Sequence, residues 1–142
     1  MRRLLMTLTL SMLAATALAA DGLPVHKAPV GVDAYIIAPA DGATVSRTFT
    51  VRFGLKGMGV APSGVDKPGT GHHHLLIDVD TLPPAGMPIP SDAQHRHFGG
   101  GQTETVLTLP PGTHTLQLEL GDMHHVPFDP QVVSKKITVH VK

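Results

Sequence analysis

A chain of 142 residues with 11 Lys and Arg, 11 Asp and Glu and no cysteine excludes disulfides, thiolate metal sites, a cysteine nucleophile and a lipidated N-terminal cysteine. Zero formal net charge, with 4% aromatic residues, leaves no basic, aromatic-studded surface for nucleic acid. Ten histidines are the anomaly in this composition, and 15 Gly and 13 Pro among short β-branched runs point to an all-β chain with long loops.

Met1-Arg2-Arg3 precedes an apolar run from Leu4 to Leu18 that is broken only by Thr and Ser and ends in Ala17-Leu18-Ala19. A basic start, a short apolar stretch and an A-x-A site describe a secretory signal peptide, so residues 1–19 are expected to be removed after Ala19 and the product to be soluble in the periplasm. No later stretch approaches about 18 unbroken apolar residues, and no membrane span is expected. Loss of Arg2 and Arg3 leaves a slightly acidic mature chain of a length suited to one domain. Residues 20–32, with Pro24, Pro29 and Gly31, read as a flexible lead carrying a solvated His26, and residues 33–142 as the β-sandwich domain.

Ala34 to Ile37 forms the first expected strand, closed by the turn residues Pro39-Ala40-Asp41-Gly42. Thr48 to Leu55 follows, where Phe49, Val51, Phe53 and Leu55 alternate with polar or small residues in the pattern of a half-buried strand. A Gly- and Pro-rich loop from Lys56 to Gly71 then enters His72-His73-His74-Leu75-Leu76-Ile77-Asp78-Val79. If this stretch is extended, His73 shares a face with Leu75, Ile77 and Val79, while His72 and His74 project together from the other. Such an i, i+2 pair can chelate one ion or hydrogen-bond to neighbouring loops.

The long stretch from Thr81 to Gln102 carries a second pair, His95-x-His97, and the run Gly99-Gly100-Gly101. Loops of that length inside a compact domain are often functional. The three glycines would let backbone N–H groups approach a ligand or cofactor, or they form a bulge before a strand. Thr103 to Leu109 and Thr113 to Leu120 flank Pro110-Pro111-Gly112 as a hairpin. In its second arm His114, Leu116, Leu118 and Leu120 share one face, with Thr115, Gln117 and Glu119 opposite. A loop from Gly121 to Val132 holds His124 and His125, and Ser134 to Val141 buries Ile137, Val139 and Val141.

Six to seven short strands at this spacing fit an immunoglobulin-like antiparallel β-sandwich with long loops, lacking the buried Trp and disulfide of antibody domains. In that topology the histidine strand, the approach to Thr103 and the loop after Leu120 meet at one end of the domain. His72, His74, His95, His97, His124 and His125 thereby become the candidate ligands of a copper or zinc ion. His114 opens a buried face and reads as a satisfied structural residue, and His140 falls away from the cluster. Met58, Met87 and Met123 sit in loops; thioether ligands would favour Cu⁺, whereas methionine in such loops more often serves simple packing.

Gly71-His72-His73-His74-Leu75-Leu76-Ile77-Asp78, His97-Phe98-Gly99-Gly100-Gly101-Gln102-Thr103-Glu104 and Pro111-Gly112-Thr113-His114-Thr115-Leu116, continuing through Gly121-Asp122 to His124 and His125, resemble a bacterial exported family known as domain of unknown function 4399. The resemblance runs from about Val51 to Val141. It implies an exported single-domain protein and brings no activity with it. Three functions fit the residues: a metal carrier, buffer or sensor; a module that binds a periplasmic protein or glycan while its histidines form a polar network; and a metal-dependent enzyme with Asp78, Glu104 or Asp122 as general base. No His-Glu-x-x-His helix or serine elbow supports the last.

Overall fold

A computed structural model describes residues 22–142. The expected signal peptide, residues 1–19, lies outside the described residues. Nine strands follow in order: β1 (Asp33–Ala38), β2 (Ala43–Val45), β3 (Thr48–Lys56), β4 (Gly59–Val60), β5 (Thr70–Ile77), β6 (His95–His97), β7 (Glu104–Thr108), β8 (Gly112–Gly121) and β9 (Ile137–Val141). All six expected strands form. β2, β4 and β6, only two or three residues long, are additions, because segments so short carry no complete period of alternation. No described helix is long and apolar enough to cross a membrane.

The strands make two sheets, β1-β3-β7 and β2-β9-β8-β5-β4, with β6 pairing β5. This is the strand order of an immunoglobulin-like sandwich. The principal ladders are antiparallel, while β2 joins β9 and β4 joins β5 in parallel. Period-two alternation decides which residues meet between the sheets. Val51, Phe53 and Leu107 come from one side, and Leu75, Ile77, Leu116, Leu118, Ile137, Val139 and Val141 from the other. Leu75, Leu116, Leu118 and Val139 are wholly buried; each such side chain stabilises the fold by about 1.5–3 kcal/mol relative to exposure. Leu55 continues the β3 face but lies half-buried against a smaller cluster of Ala34, Leu120, Phe128 and Val132, where the chain after β8 caps the end of the sandwich.

The two outer faces differ. On the three-stranded sheet Tyr35 and Val106 remain exposed. On the larger sheet every residue of β5 from Gly71 to Ile77 is buried, so both faces of that strand are covered. Ile89 N–H donates to the His125 carbonyl at 2.8 Å, and the Gln131 amide donates to the Pro83 carbonyl at 2.8 Å, tying the covering segments together. The expected flexible lead also takes part in this cover. Ala28 N–H donates to the Asp129 carbonyl at 2.9 Å, Asp129 N–H returns a bond to the His26 carbonyl, and Lys27 pairs with the Asp129 carboxylate. His26, expected to be solvated, keeps 48% of its side-chain surface in solvent yet bonds through Nδ1 to Asp122 Oδ2 at 2.7 Å. Paired backbone groups, rather than composition, fix this segment.

Candidate metal centre

The register of β5 against its neighbours builds the centre. His74 faces His97 across the β5–β6 ladder, while His72 faces Gly121 and His74 faces Glu119 across the β5–β8 ladder. Residues directly opposite in an antiparallel pair project from the same side. His72, His74, His97 and Glu119 therefore share the covered outer face, and His73 points into the core, where its ring lies 5.3 Å from that of Phe53. The fourth imidazole arrives from the turn after β8. Asp122 Oδ1 accepts the N–H groups of His124 and Val126 at 2.8 and 2.9 Å, and between them His125 takes a left-handed backbone, φ 68°. That local geometry turns the His125 ring inward and leaves His124 exposed.

Ring nitrogens of His72, His74 and His97 lie within 4.8 Å of one another. The His125 ring centre is 5.0 Å from that of His72, 4.6 Å from that of His97 and 6.0 Å from that of His74. The remaining pairs, His72–His74, His72–His97 and His74–His97, are 4.8, 5.0 and 5.1 Å apart. Zn–N bonds of about 2.0–2.1 Å in a tetrahedral shell place imidazole centres roughly 5 Å apart. His72, His74 and His97 thus have the spacing of a three-nitrogen shell, and His125 stands beside them, outside the set of mutually close nitrogens.

Two glycines make room for these rings. A Cβ at Gly121 would stand 2.8 Å from His74 Cε1 and 3.2 Å from His125 Cα, and one at Gly99 would overlap the His97 ring. The Gly99-Gly100-Gly101 run thus serves this protein's own side chains: Gly99 lies against His97, Gly100 N–H donates to Gln102 Oε1 at 3.0 Å, and Gly101 takes φ 79° in the turn.

Burial sets the electrostatics of the cluster, as it does for His73 in the core, whose two ring nitrogens are also buried without partners. Both ring nitrogens of His72 and His74, and Nε2 of His97, are buried without any hydrogen-bond partner. A buried imidazole without partners is held neutral. Burial, then the neighbouring His125 and His97, lowers the His72 pKa to about 4. Burial, then His72 and His97, lowers that of His74 to about 2. His97 is shifted down for the same two kinds of reason, burial first and His125 second. Neutral imidazole is the ligating form.

Of the six candidate ligands, the structure brings together His72, His74, His97 and His125. His95 lies on the same side as His97 but two cross-strand pairs further along, opposite Leu76, and its Nδ1 bonds to Asp92 Oδ1 at 2.9 Å. Of the methionines, Met87 is exposed, Met58 packs against the smaller apolar cluster, and Met123 lines a cavity of about 180 Å³ with His26, Asp122 and Phe128. The carboxylates considered as bases are engaged elsewhere. Asp78 accepts from His114 Nδ1 and Thr115 N–H, Glu104 pairs with Arg52 on the other sheet, and Asp122 is taken by two backbone N–H groups and His26.

Sequence reasoning missed Glu119. It was expected on the face opposite the apolar residues of β8, and it is there, but it is wholly buried rather than solvated. Its Oε1 accepts from Gln131 at 3.0 Å, its Oε2 has no partner, and burial pushes its pKa up to about 7 against the pull of the Gln131 bond.

The fold and this cluster define an all-β sandwich with four neighbouring imidazoles over one sheet, two of them, His72 and His74, fully buried. The family model described as Domain of unknown function (DUF4399) matches residues 51–142, and the chain belongs to that family. His72, His74, His97 and His125 all fall within the matched region. No curated protein and no solved structure matches the chain.

Proposed function

We propose that this protein is an exported, non-catalytic metal-binding domain that holds one zinc or copper ion through His72, His74 and His97, with His125 as fourth ligand, and acts as a carrier, buffer or sensor. One observation carries the reading: five ring nitrogens of the first three residues are buried with no hydrogen bond. Each unsatisfied buried polar group costs about 1–3 kcal/mol, and an ion bound through one nitrogen of each ring recovers that cost for the nitrogens it takes. A polar network of imidazoles would instead require hydrogen bonds, which these rings lack. The donor set is all nitrogen, which suits Zn²⁺ and Cu²⁺. Four protein ligands would close the shell, the arrangement of a holding site rather than of a catalytic one that keeps a position open for water. Export is proposed from the signal-like start of the sequence.

Metal analysis of the chain produced without an affinity tag, followed by titration, tests the reading. One equivalent of Zn²⁺ or Cu²⁺ bound far more tightly than by a generic histidine-rich peptide is the expected result. Absence of stoichiometric binding refutes it.

A further inference from the structure

The buried side-chain atoms left without partners fall into two chemical kinds. Among the described residues they are imidazole nitrogens of His72, His73, His74 and His97, and a single oxygen, Oε2 of Glu119. Glu119 stands directly opposite His74 in the β5–β8 register, and neither residue has any exposed surface. It does not join the set of nitrogens within 4.8 Å of one another, so it neighbours the shell without belonging to it. The other buried carboxylate on this side, Asp122, has both oxygens occupied. A histidine that binds an ion through one nitrogen keeps an N–H on the other, and that N–H needs an acceptor to fix the ring.

We propose that Glu119 is a positioning residue of the metal centre, its free Oε2 accepting the N–H that His74 retains when its other nitrogen holds the ion. The inference rests on the metal-binding reading above. The Gln131 amide holds Oε1 at 3.0 Å and is itself anchored on the Pro83 carbonyl at 2.8 Å, so the carboxylate is tethered at one oxygen with the other left for His74. A hydrogen bond to carboxylate is roughly twice as strong as one to a neutral acceptor. The amide of glutamine, equal in size, is therefore a weaker substitute.

The test uses the full chain without an affinity tag, with Zn²⁺ for affinity by competition and Co²⁺ for its visible ligand-field spectrum. Glu119→Gln should bind Zn²⁺ about 10- to 100-fold more weakly than wild type, shift the Co²⁺ bands, and melt without ion at or above the wild-type temperature. Glu119→Asp, which keeps the charge but retracts it by one methylene, should fall between the two, and it decides the matter if Glu119→Gln does not fold. Wild-type protein that binds neither ion overturns the metal reading and this proposal with it. Wild-type binding with unchanged affinity and spectrum in the folded variant overturns the role of Glu119 alone.

Discussion

Two sets of histidines in one domain are treated in opposite ways. His95 and His114 each hand a ring nitrogen to a carboxylate, Asp92 and Asp78, at 2.9 and 2.7 Å. His72 and His74 are more deeply buried and have no partner. The titration of His114 diverges from that of the buried pair: the Asp78 hydrogen bond raises the His114 pKa, whereas burial lowers those of His72 and His74. The same side chain is thus a structural bond in one place and a reserved pair of lone electrons in another. Carboxylate placement, not histidine count, separates them.

The largest test of that division is to remove members of each set. Replacing His74 and His97 together by Ala should abolish measurable stoichiometric Zn²⁺ binding, a loss of at least about a thousandfold if each ligand is worth roughly 2 kcal/mol or more. Replacing His114 or His140 by Ala should leave the affinity within about twofold in the same titration. Equal losses from both sets would erase the distinction. Because His72 and His74 stay neutral well below the usual imidazole pKa, Zn²⁺ occupancy should also persist below pH 6.5, where an exposed histidine peptide releases its ion.

The sequence carried the fold further than the site. Alternation in Thr48–Leu55 and His114–Leu120 marked the core faces, and the i, i+2 spacing of His72 and His74 placed both on one side, since period two is a backbone property readable without tertiary contacts. The choice of His125 over His124 was not readable. It depends on the Asp122 carboxylate capturing two backbone N–H groups and on a left-handed φ at His125. Glu119 escaped for a related reason: alternation tells which side a residue faces but not whether a loop covers that side. The bonds that tie the cover down join His26 to Asp122 and Gln131 to Pro83, residues far apart in the chain.

A sharper test uses His73, buried like its neighbours but turned into the core away from the quartet. Burial holds its pKa near 4 in the fold against 6.5 as the ordinary value. An unfolded chain therefore binds more protons between these values, so the contribution is intact above pH 6.5 and is lost as pH falls toward 4. The loss amounts to about 3 kcal/mol. His73→Leu should remove it, so that denaturant melts of ion-free protein at pH 7.5 and pH 4.5 differ less in the variant than in wild type. Glu119 acts in the opposite sense, its contribution being present below pH 4.5 and lost as pH rises through about 7. An unchanged pH slope in His73→Leu would show that the ring ionises freely in the fold.

Space around the quartet should matter less than its ligands. Gly121→Ala introduces a methyl 2.8 Å from His74 Cε1 and against the His125 backbone. It should weaken Zn²⁺ binding by roughly tenfold, about 1.4 kcal/mol, by spreading these two rings. Gly42→Ala, at a turn with open space around it, should leave affinity unaltered, although its φ of 76° makes it a stability control. Equal affinity in the two variants would mean that close packing of Gly121 does not set the ring positions.

The smallest expected effect lies in the satisfied set. Asp78 leaves β5 with φ 55° and uses one oxygen for Thr115 N–H at 2.8 Å and the other for His114 Nδ1, while His114 Nε2 bonds to the Pro110 carbonyl at 3.0 Å. With its folded pKa raised above the unfolded value, His114 contributes stability that is fully present below pH 6.5 and disappears as pH rises through the folded value. Asp78→Asn removes the charge that raises it while retaining an acceptor for one of the two bonds. The variant should lose about 1 kcal/mol in acid and progressively less as pH rises through the raised His114 value, because wild type then gives up the charged form of the pair. That pH trend runs opposite to the one expected at His73, where acidification weakens the fold. Measuring both variants across the same range asks whether neighbouring strands of one sheet hold histidines under opposite electrostatic rules. Parallel trends in the two series would mean that a shared property of the fold, rather than each ring's own partner or lack of one, governs its charge.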